Sequence, residues 1–310
     1  MRFPIQFFRT PPKFDFIGHR WLGFLLTGAG VLGTIFSLWY QGLNFGIDFS
    51  GGIVIEARTE EKADIAKMRE ILDKPEFGDP VLQEVGDGHV IMIRIGAKEG
   101  DEQSKVAAHV RELLDASYGA PIEYQRVDYV GPQVGRELLI GSAMATGLSL
   151  LAIMIYLWFR FEWQYGVGGI LALIHDATLT VGFFSFTQIE FNLTSVAAVL
   201  TIVGYSINDS VVIYDRIREN LRKYKTKPLN EVLNLSINET LARTIMTVGT
   251  VAAALLGLVF FGGDVLFGFS AAMLFGCFVG TYSSVYISAV ILIYLDLRRS
   301  GEVGAKAATA

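Results

Sequence analysis

One cysteine, Cys277, stands alone in this 310-residue chain, so no disulfide framework can form within it. CxxC pairs are absent, and the four histidines show neither HExxH nor any paired spacing. A structural or catalytic metal site is therefore not expected. Charge is also scarce. Only 18% of residues are Asp, Glu, Lys or Arg, against about 25% in a soluble domain. The deficit is uneven: residues 41–137 hold 19 of the 31 acidic and 11 of the 26 basic side chains. The chain as a whole is 52% hydrophobic, with a mean hydropathy of +0.42, and long apolar runs lie outside that segment. This pattern predicts a membrane protein carrying one soluble insert and excludes a nucleic-acid-binding or ordinary soluble class.

What is present organises itself around runs of about 20 apolar residues, the length a span requires. Six are expected, at 21–40, 138–159, 164–187, 193–214, 244–262 and 265–295. The first is too long for a signal-peptide core, lacks an A-x-A cleavage site and ends in Leu38-Trp39-Tyr40, so it reads as an uncleaved anchor. The last would run to about 46 Å as a helix and must tilt, break near Gly268 or follow the interface. Basic residues in short flanks set orientation. Segment 1–20 carries Arg2, Arg9, Lys13 and Arg20, segment 215–243 carries seven basic residues, and the tail 296–310 begins with Arg298 and Arg299 close behind. The opposite flanks hold only Glu190 and Asp264. Both termini and the 215–243 loop are expected in the cytoplasm, with 41–137 outside.

Within 41–137 the periodicity changes. Strands are expected at 51–57, at "VLQEV" and "HVIMIRI" split by Gly86-Asp87-Gly88, and at "IEYQRVDYV". Helices are expected at 63–74, with Ile65, Met68, Ile71 and Leu72 on one face, and at 101–119, with Val106, Val110, Leu113 and Leu114. The order is βαββαβ, a ferredoxin-like unit, with no nucleophile constellation or phosphate loop. Gly141, Ala145 and Ser149, and again Gly276, Gly280 and Ser284, place small residues every fourth position, which lets helices approach closely in lipid.

Four polar residues inside apolar runs carry the functional question: His175 and Asp176 in "LALIHDATLT", and Asn208 and Asp209 in "VGYSINDS". A charge at the centre of a span costs about 2.5–3.5 kcal/mol and usually faces the bundle interior or a wet cavity. Asp209 precedes Arg216 by seven residues, which places it about 10 Å inside. Asp176 lies nearer the middle. Thr194, Thr201, Tyr205 and Asn208 trace a line along span four; Asp176, Thr180 and Thr187 share a face of span three; Arg243, Thr247 and Thr250 share one in span five. Such stripes can line a hydrated path on which a carboxylate exchanges protons. They can equally serve as helix-to-helix hydrogen bonds worth about 0.6 kcal/mol each, with Arg243 snorkelling at a helix start. "DRIREN" (215–220) reads as a solvated helix end. No cofactor is expected, and no catalytic residue.

The segments "NFGIDFSGG" (44–52), "LTIVGYSINDSVVIYDRIREN" (200–220) and "SINETLARTIMTVGT" (236–250) closely resemble the SecF family of bacterial protein-export membrane subunits, part of the resistance-nodulation-division-like superfamily. The resemblance covers nearly the whole chain. It implies a non-enzymatic inner-membrane protein that pairs with SecD, associates with SecYEG and YajC, and uses the proton-motive force on a translocating polypeptide after SecA has acted. It further implies that Asp209 and Arg243 lie on the proton pathway, with a further key Asp supplied by SecD. In the "GIDFSGG" stretch Gly46, Gly51 and Gly52 are expected to permit tight turns where the chain enters the external domain, and Asp48 to cap or hydrogen-bond there. Two other classes remain. An intramembrane aspartyl protease would pair Asp176 with Asp209, but Ser206, Ile207 and Asn208 precede Asp209 where Gly-x-Gly would be needed. A passive scaffold would use the same polar residues only for packing.

Overall fold

A computed structural model describes residues 12–75, 77, 80–85, 88–96, 103–295 and 297. Gly86, Asp87, Arg2, Arg9, Arg298 and Arg299 lie outside the described residues, as does the side chain of Asp264. Helix α1 (Arg20–Tyr40) leads into a short α2 (Ile47–Ser50), then β1 (Gly52–Thr59), α3 (Ile65–Leu72), β2 (Val81–Val85), β3 (Val90–Ile95), α4 (Gln103–Ser117) and β4 (Ile122–Val130). Helices α5 (Pro132–Arg160), α6 (Trp163–Thr187), α7 (Leu193–Lys223), α8 (Leu229–Phe261) and α9 (Gly263–Ser283) complete the bundle. Among the described residues six helices are long and apolar enough to cross a membrane, making this a multi-pass membrane protein with an antiparallel sheet domain between its first and second spans.

The strands pair antiparallel in the order β2-β3-β1-β4. Alternation buries Ile53, Ile55 and Ala57 of β1 and Ile91, Ile93 and Ile95 of β3 on one face. Helices α3 and α4 cover that face with Met68, Leu72, Val110 and Leu114, while Val106 and Leu113 are only partly buried. Asp64 starts α3 by accepting from the Lys67 amide at 3.0 Å, satisfying one of the donors a helix start leaves open.

Three expectations shift. The 215–243 segment is mostly helix: α7 continues to Lys223 and α8 begins at Leu229. Polar contacts replace lipid burial there. Arg216 pairs with Glu239 at 2.7 Å, and Asn220 donates to Glu239 at 2.7 Å and Ser236 at 3.0 Å. Next, the last span passes through Gly268 without a break and deforms at its other end, into a π turn over Ser284–Ala289 and a 3₁₀ turn over Val290–Ile293. Side-chain hydroxyls reach the backbone carbonyls at that place: the Tyr214 hydroxyl donates to the Ser288 carbonyl at 3.4 Å, and Ser284 Oγ to the Thr281 carbonyl at 2.9 Å. Insertion of side chains into the helical ladder is a recognised cause of such distortion. The small-residue faces also part company. A methyl at Gly276 would lie within 2.8 Å of three Ile202 side-chain carbons, and one at Gly280 would meet Ser206 Cβ at 3.0 Å, so α9 approaches α7 through both. Gly141 on α5 has nothing within 4 Å, because α5 stands at the rim of the bundle with only Gly135 and Leu157 buried.

Candidate functional site in the helix bundle

Apolar residues flank Asp176 along α6 and force that helix into the bundle interior, so its carboxylate must find donors on neighbouring helices. It does: Asp176 is fully buried, its Oδ1 accepts from His175 Nδ1 at 2.9 Å, and its Oδ2 accepts from Ser206 Oγ of α7 at 2.5 Å and Ser283 Oγ of α9 at 2.7 Å. Thr180 Oγ1 donates to the Asp176 carbonyl at 2.7 Å. Three helices thus meet on one carboxyl group. His175 is 5% exposed, its ring 6.1 Å from that of Tyr282, and its Nε2 has no partner among the described residues. Sequence reasoning missed both serines as partners of Asp176; the only signal for Ser283 was a Ser pair inside an apolar run.

Asp209 follows Ser206 by one helical turn on α7 and is 5% exposed. Among the described residues no hydrogen bond or ion pair reaches its carboxylate. Asn208, beside it, is exposed on the outer face of α7, together with Thr194 and Thr201. Arg243 of α8 and Thr250 are likewise exposed, with Thr247 half-buried. No ion pair joins Arg243 to Asp209 among the described residues. The threonine hydroxyls turn back on their own helices: Thr201 to Ala197, Thr247 to Arg243 and Thr250 to Met246, at 2.7, 3.1 and 3.0 Å. Thr201 and Thr250 make no hydrogen bond to another helix among the described residues, whereas Thr247 of α8 also lies against the Tyr205 hydroxyl of α7. The two aspartates share no hydrogen bond, because Ser206, Ser283 and His175 occupy the Asp176 oxygens. The geometry of a proton-sharing protease dyad is not there.

A second cluster ties the sheet domain to the bundle. The loop between α6 and α7 lies along the "NFGIDFSGG" stretch: the Gly46 amide donates to Phe191 O at 2.9 Å and the Phe191 amide to Asn44 O at 2.8 Å. Asp48 Oδ2 accepts from the Leu193 amide at 2.9 Å, and Asn192 forms a capping box with Ser195, so both hold the start of α7. Gly51 (φ 70°) and Gly52 (φ 137°) adopt the conformation that disfavours a side chain. Gly46 does not; its φ is −71°, and it is needed for space, since a Cβ there would press on Glu190 and on Asn192.

Arg94 of β3, 8% exposed, reaches into this junction and pairs with Glu190 at 2.5 Å, with Asn44 Oδ1 at 3.4 Å. Burial raises the Glu190 carboxyl above its ordinary value, and Arg94 opposes the rise. A raised native value means that the folded state binds the extra proton, so this group's contribution to stability is full below its unfolded value and is lost as pH climbs through the raised one. Arg94→Ala, which strands a partly buried carboxylate, is expected to cost about 2 kcal/mol. Glu190→Gln, which keeps an acceptor, is expected to cost less and to flatten the pH dependence. Hydrogen exchange at 44–50 and 188–193 across a pH series checks both.

Comparison with known proteins agrees with these motifs. Residues 110–298 match the family model described as protein export membrane protein SecD/SecF, C-terminal, and residues 36–63 match the SecD/SecF GG motif. The chain is 48% identical over 293 residues to the protein translocase subunit SecF of Rickettsia conorii, covering 94% of each chain, and 47% identical over 300 residues to that of Rickettsia felis, covering 96% of each. Among solved structures, the crystal structure of SecDF from Thermus thermophilus superposes with a TM-score of 0.83 at 34% identity, over 94% of this chain and 40% of that one. A SecDF in a super-membrane-facing form gives 0.67 at 32% identity, over 99% of this chain and 41% of that one. This chain therefore belongs to the SecF family of protein translocase subunits, a non-enzymatic family of protein-export membrane proteins.

Proposed function

We propose that this protein acts with SecD as a proton-motive-force-driven accessory unit that promotes late stages of Sec-dependent export across the bacterial plasma membrane. One observation carries the reading: Asp209 is buried with no hydrogen bond among the described residues, on the helix whose start is held by Asp48 at the base of the sheet domain. A change in the ionisation of Asp209 alters what α7 can pack against, and α7 is attached to the module that would engage a client chain. Asn208, Arg243, Thr194 and Thr201 are exposed in the chain alone; a charged group such as Arg243 left uncovered beside a span is costly, and a partner subunit relieves that cost. SecD fits that role, its own acidic residue completing a relay with Asp209 and Arg243. The Asp176 and His175 node holds the three helices around that relay.

In this reading the domain over 41–137 is a ferredoxin-like unit on the outer side. Its βαββαβ order and its β2-β3-β1-β4 sheet support that assignment. The termini and the α7–α8 connection face the cytoplasm, supported by their Lys and Arg excess. SecYEG, YajC and SecA are the further partners, and a translocating polypeptide is the client.

The test is a reconstituted complex with SecD and SecYEG in proteoliposomes, with late-stage export timed with and without a proton gradient. Arg243→Ala is expected to keep SecD bound and to lose the gradient's stimulation. Stimulation that survives would favour a passive scaffold.

A further inference from the structure

Helices α5 and α7 end side by side, and their ends enclose an open depression of about 530 Å³ lined by Arg160, Asp215, Arg218, Glu219, Arg222 and Lys223. The carboxylates there are committed: Asp215 to Arg160 at 2.9 Å and Glu219 to Arg216 at 2.7 Å. No carboxylate pairs with Arg218, Arg222 or Lys223 among the described residues, so the lining keeps an excess of positive charge. Arg222 and Lys223 close the last turn of α7, where helix carbonyls already attract cations. Arg218 is a turn earlier and is held differently. Its guanidinium lies 5.4 Å from the ring of buried Phe161, that of Arg160 lies 4.7 Å from the same ring, and Arg218 donates to the Arg160 carbonyl at 3.5 Å. One aromatic side chain thus fixes two guanidinium groups before any ligand arrives, which lowers the ordering cost of binding an oxyanion.

The depth of the groove matters as much as its charge. Phe161 and Glu162 alone separate α5 from α6, so the site lies where two spans leave the membrane. Trp158, two residues before Arg160 on α5, and Trp163, the first residue of α6, are 54% and 56% exposed, and exposed tryptophans at the ends of spans are typical of the headgroup layer. Because α5 is peripheral, lipid reaches the groove from the side.

We propose that this groove binds the phosphodiester of an anionic phospholipid, with Arg218 and Arg160 presenting donors to the phosphate oxygens and Arg222 and Lys223 holding the remaining negative charge. A free phosphate offers the same oxygens but no acyl chains beside the two tryptophans, which favours the lipid.

The experiment follows thermal unfolding of the full chain in micelles titrated with a short-chain phosphatidylglycerol, the matching phosphatidylcholine, or inorganic phosphate. Phosphatidylglycerol is expected to raise the midpoint and the other two to leave it unchanged. Arg218→Gln with Arg222→Gln is expected to weaken the phosphatidylglycerol response on the order of tenfold, given that each cation near a surface contributes strongly to such attraction. The exposed pair Arg222→Gln with Lys223→Gln serves the same purpose if the half-buried Arg218 disturbs folding. Lys225→Gln with Lys227→Gln, which removes equal charge outside the groove, should leave the response intact. Equal losses in the control, a response kept by both groove variants, or an equal response to inorganic phosphate would overturn the proposal. So would groove variants that lose a co-purifying protein subunit while still responding to phosphatidylglycerol, since the groove would then be a protein contact.

Discussion

Asp209→Asn is expected to bring gradient-stimulated export down to its gradient-free rate while the protein still folds and still binds SecD. The substitution is nearly isosteric, and among the described residues the Asp209 carboxylate makes no hydrogen bond or ion pair that would be broken. Burying a neutral amide also costs less than burying a carboxylate, so the unfolding midpoint should be unchanged or higher. What disappears is the proton. One charge moved through 100 mV is worth about 2.3 kcal/mol, close to fiftyfold in a rate, and that sets the ceiling on the stimulation to be lost. Proton flux into proteoliposomes and export timing, measured on the same preparation, check the result. Normal flux and normal stimulation in this variant would remove Asp209 from energy transduction.

Asp176→Ala should do the opposite and damage the bundle first. Its removal leaves His175 Nδ1, Ser206 Oγ and Ser283 Oγ without their shared acceptor at the meeting of α6, α7 and α9. A buried donor left unpaired costs about 1–3 kcal/mol. Ser283 already has a second acceptor in the Gly280 carbonyl at 3.1 Å, so it recovers part of its loss. A net destabilisation of about 3 kcal/mol is expected. Asp176→Asn, which keeps one acceptor oxygen, should fall between this variant and the parent. Thermal unfolding in detergent separates the two sites: Asp176→Ala should melt well below Asp209→Asn. Equal midpoints would mean that the three-helix node contributes nothing to stability.

These two aspartates differ in how far their surroundings could be read in advance. The burial of Asp209 follows from the cost of a charge in an apolar span, which turns it toward the bundle interior; Val203 and Ser206, six and three residues before it, are buried with it. For Asp176 the same reasoning finds Thr180, which is buried with it, and Thr187, whose hydroxyl instead turns back to Phe183 at 2.7 Å. It cannot find Ser206 or Ser283, which come from other helices. Asn208 and Arg243 show the limit from the other side. Polar stripes on α7 and α8 are evident in sequence, but whether they face each other, the interior or a partner depends on helix rotation. Both residues are exposed on the outer surface of the chain.

By itself the sequence determined the number of spans, the place of the sheet domain between the first two, and the faces that build its core. Each of those follows from local periodicity and from the cost of placing polar backbone or charge in lipid. The tertiary structure alone decided that α8 begins as far back as Leu229, that the last span unwinds at Ser284 rather than Gly268, and that Arg94 meets Glu190. Each of these depends on contacts between segments far apart in the chain, such as Asn220 with Glu239, Tyr214 with Ser288 and Arg94 with Glu190, set by helix rotation, tilt and side-chain volume, none of which local periodicity records.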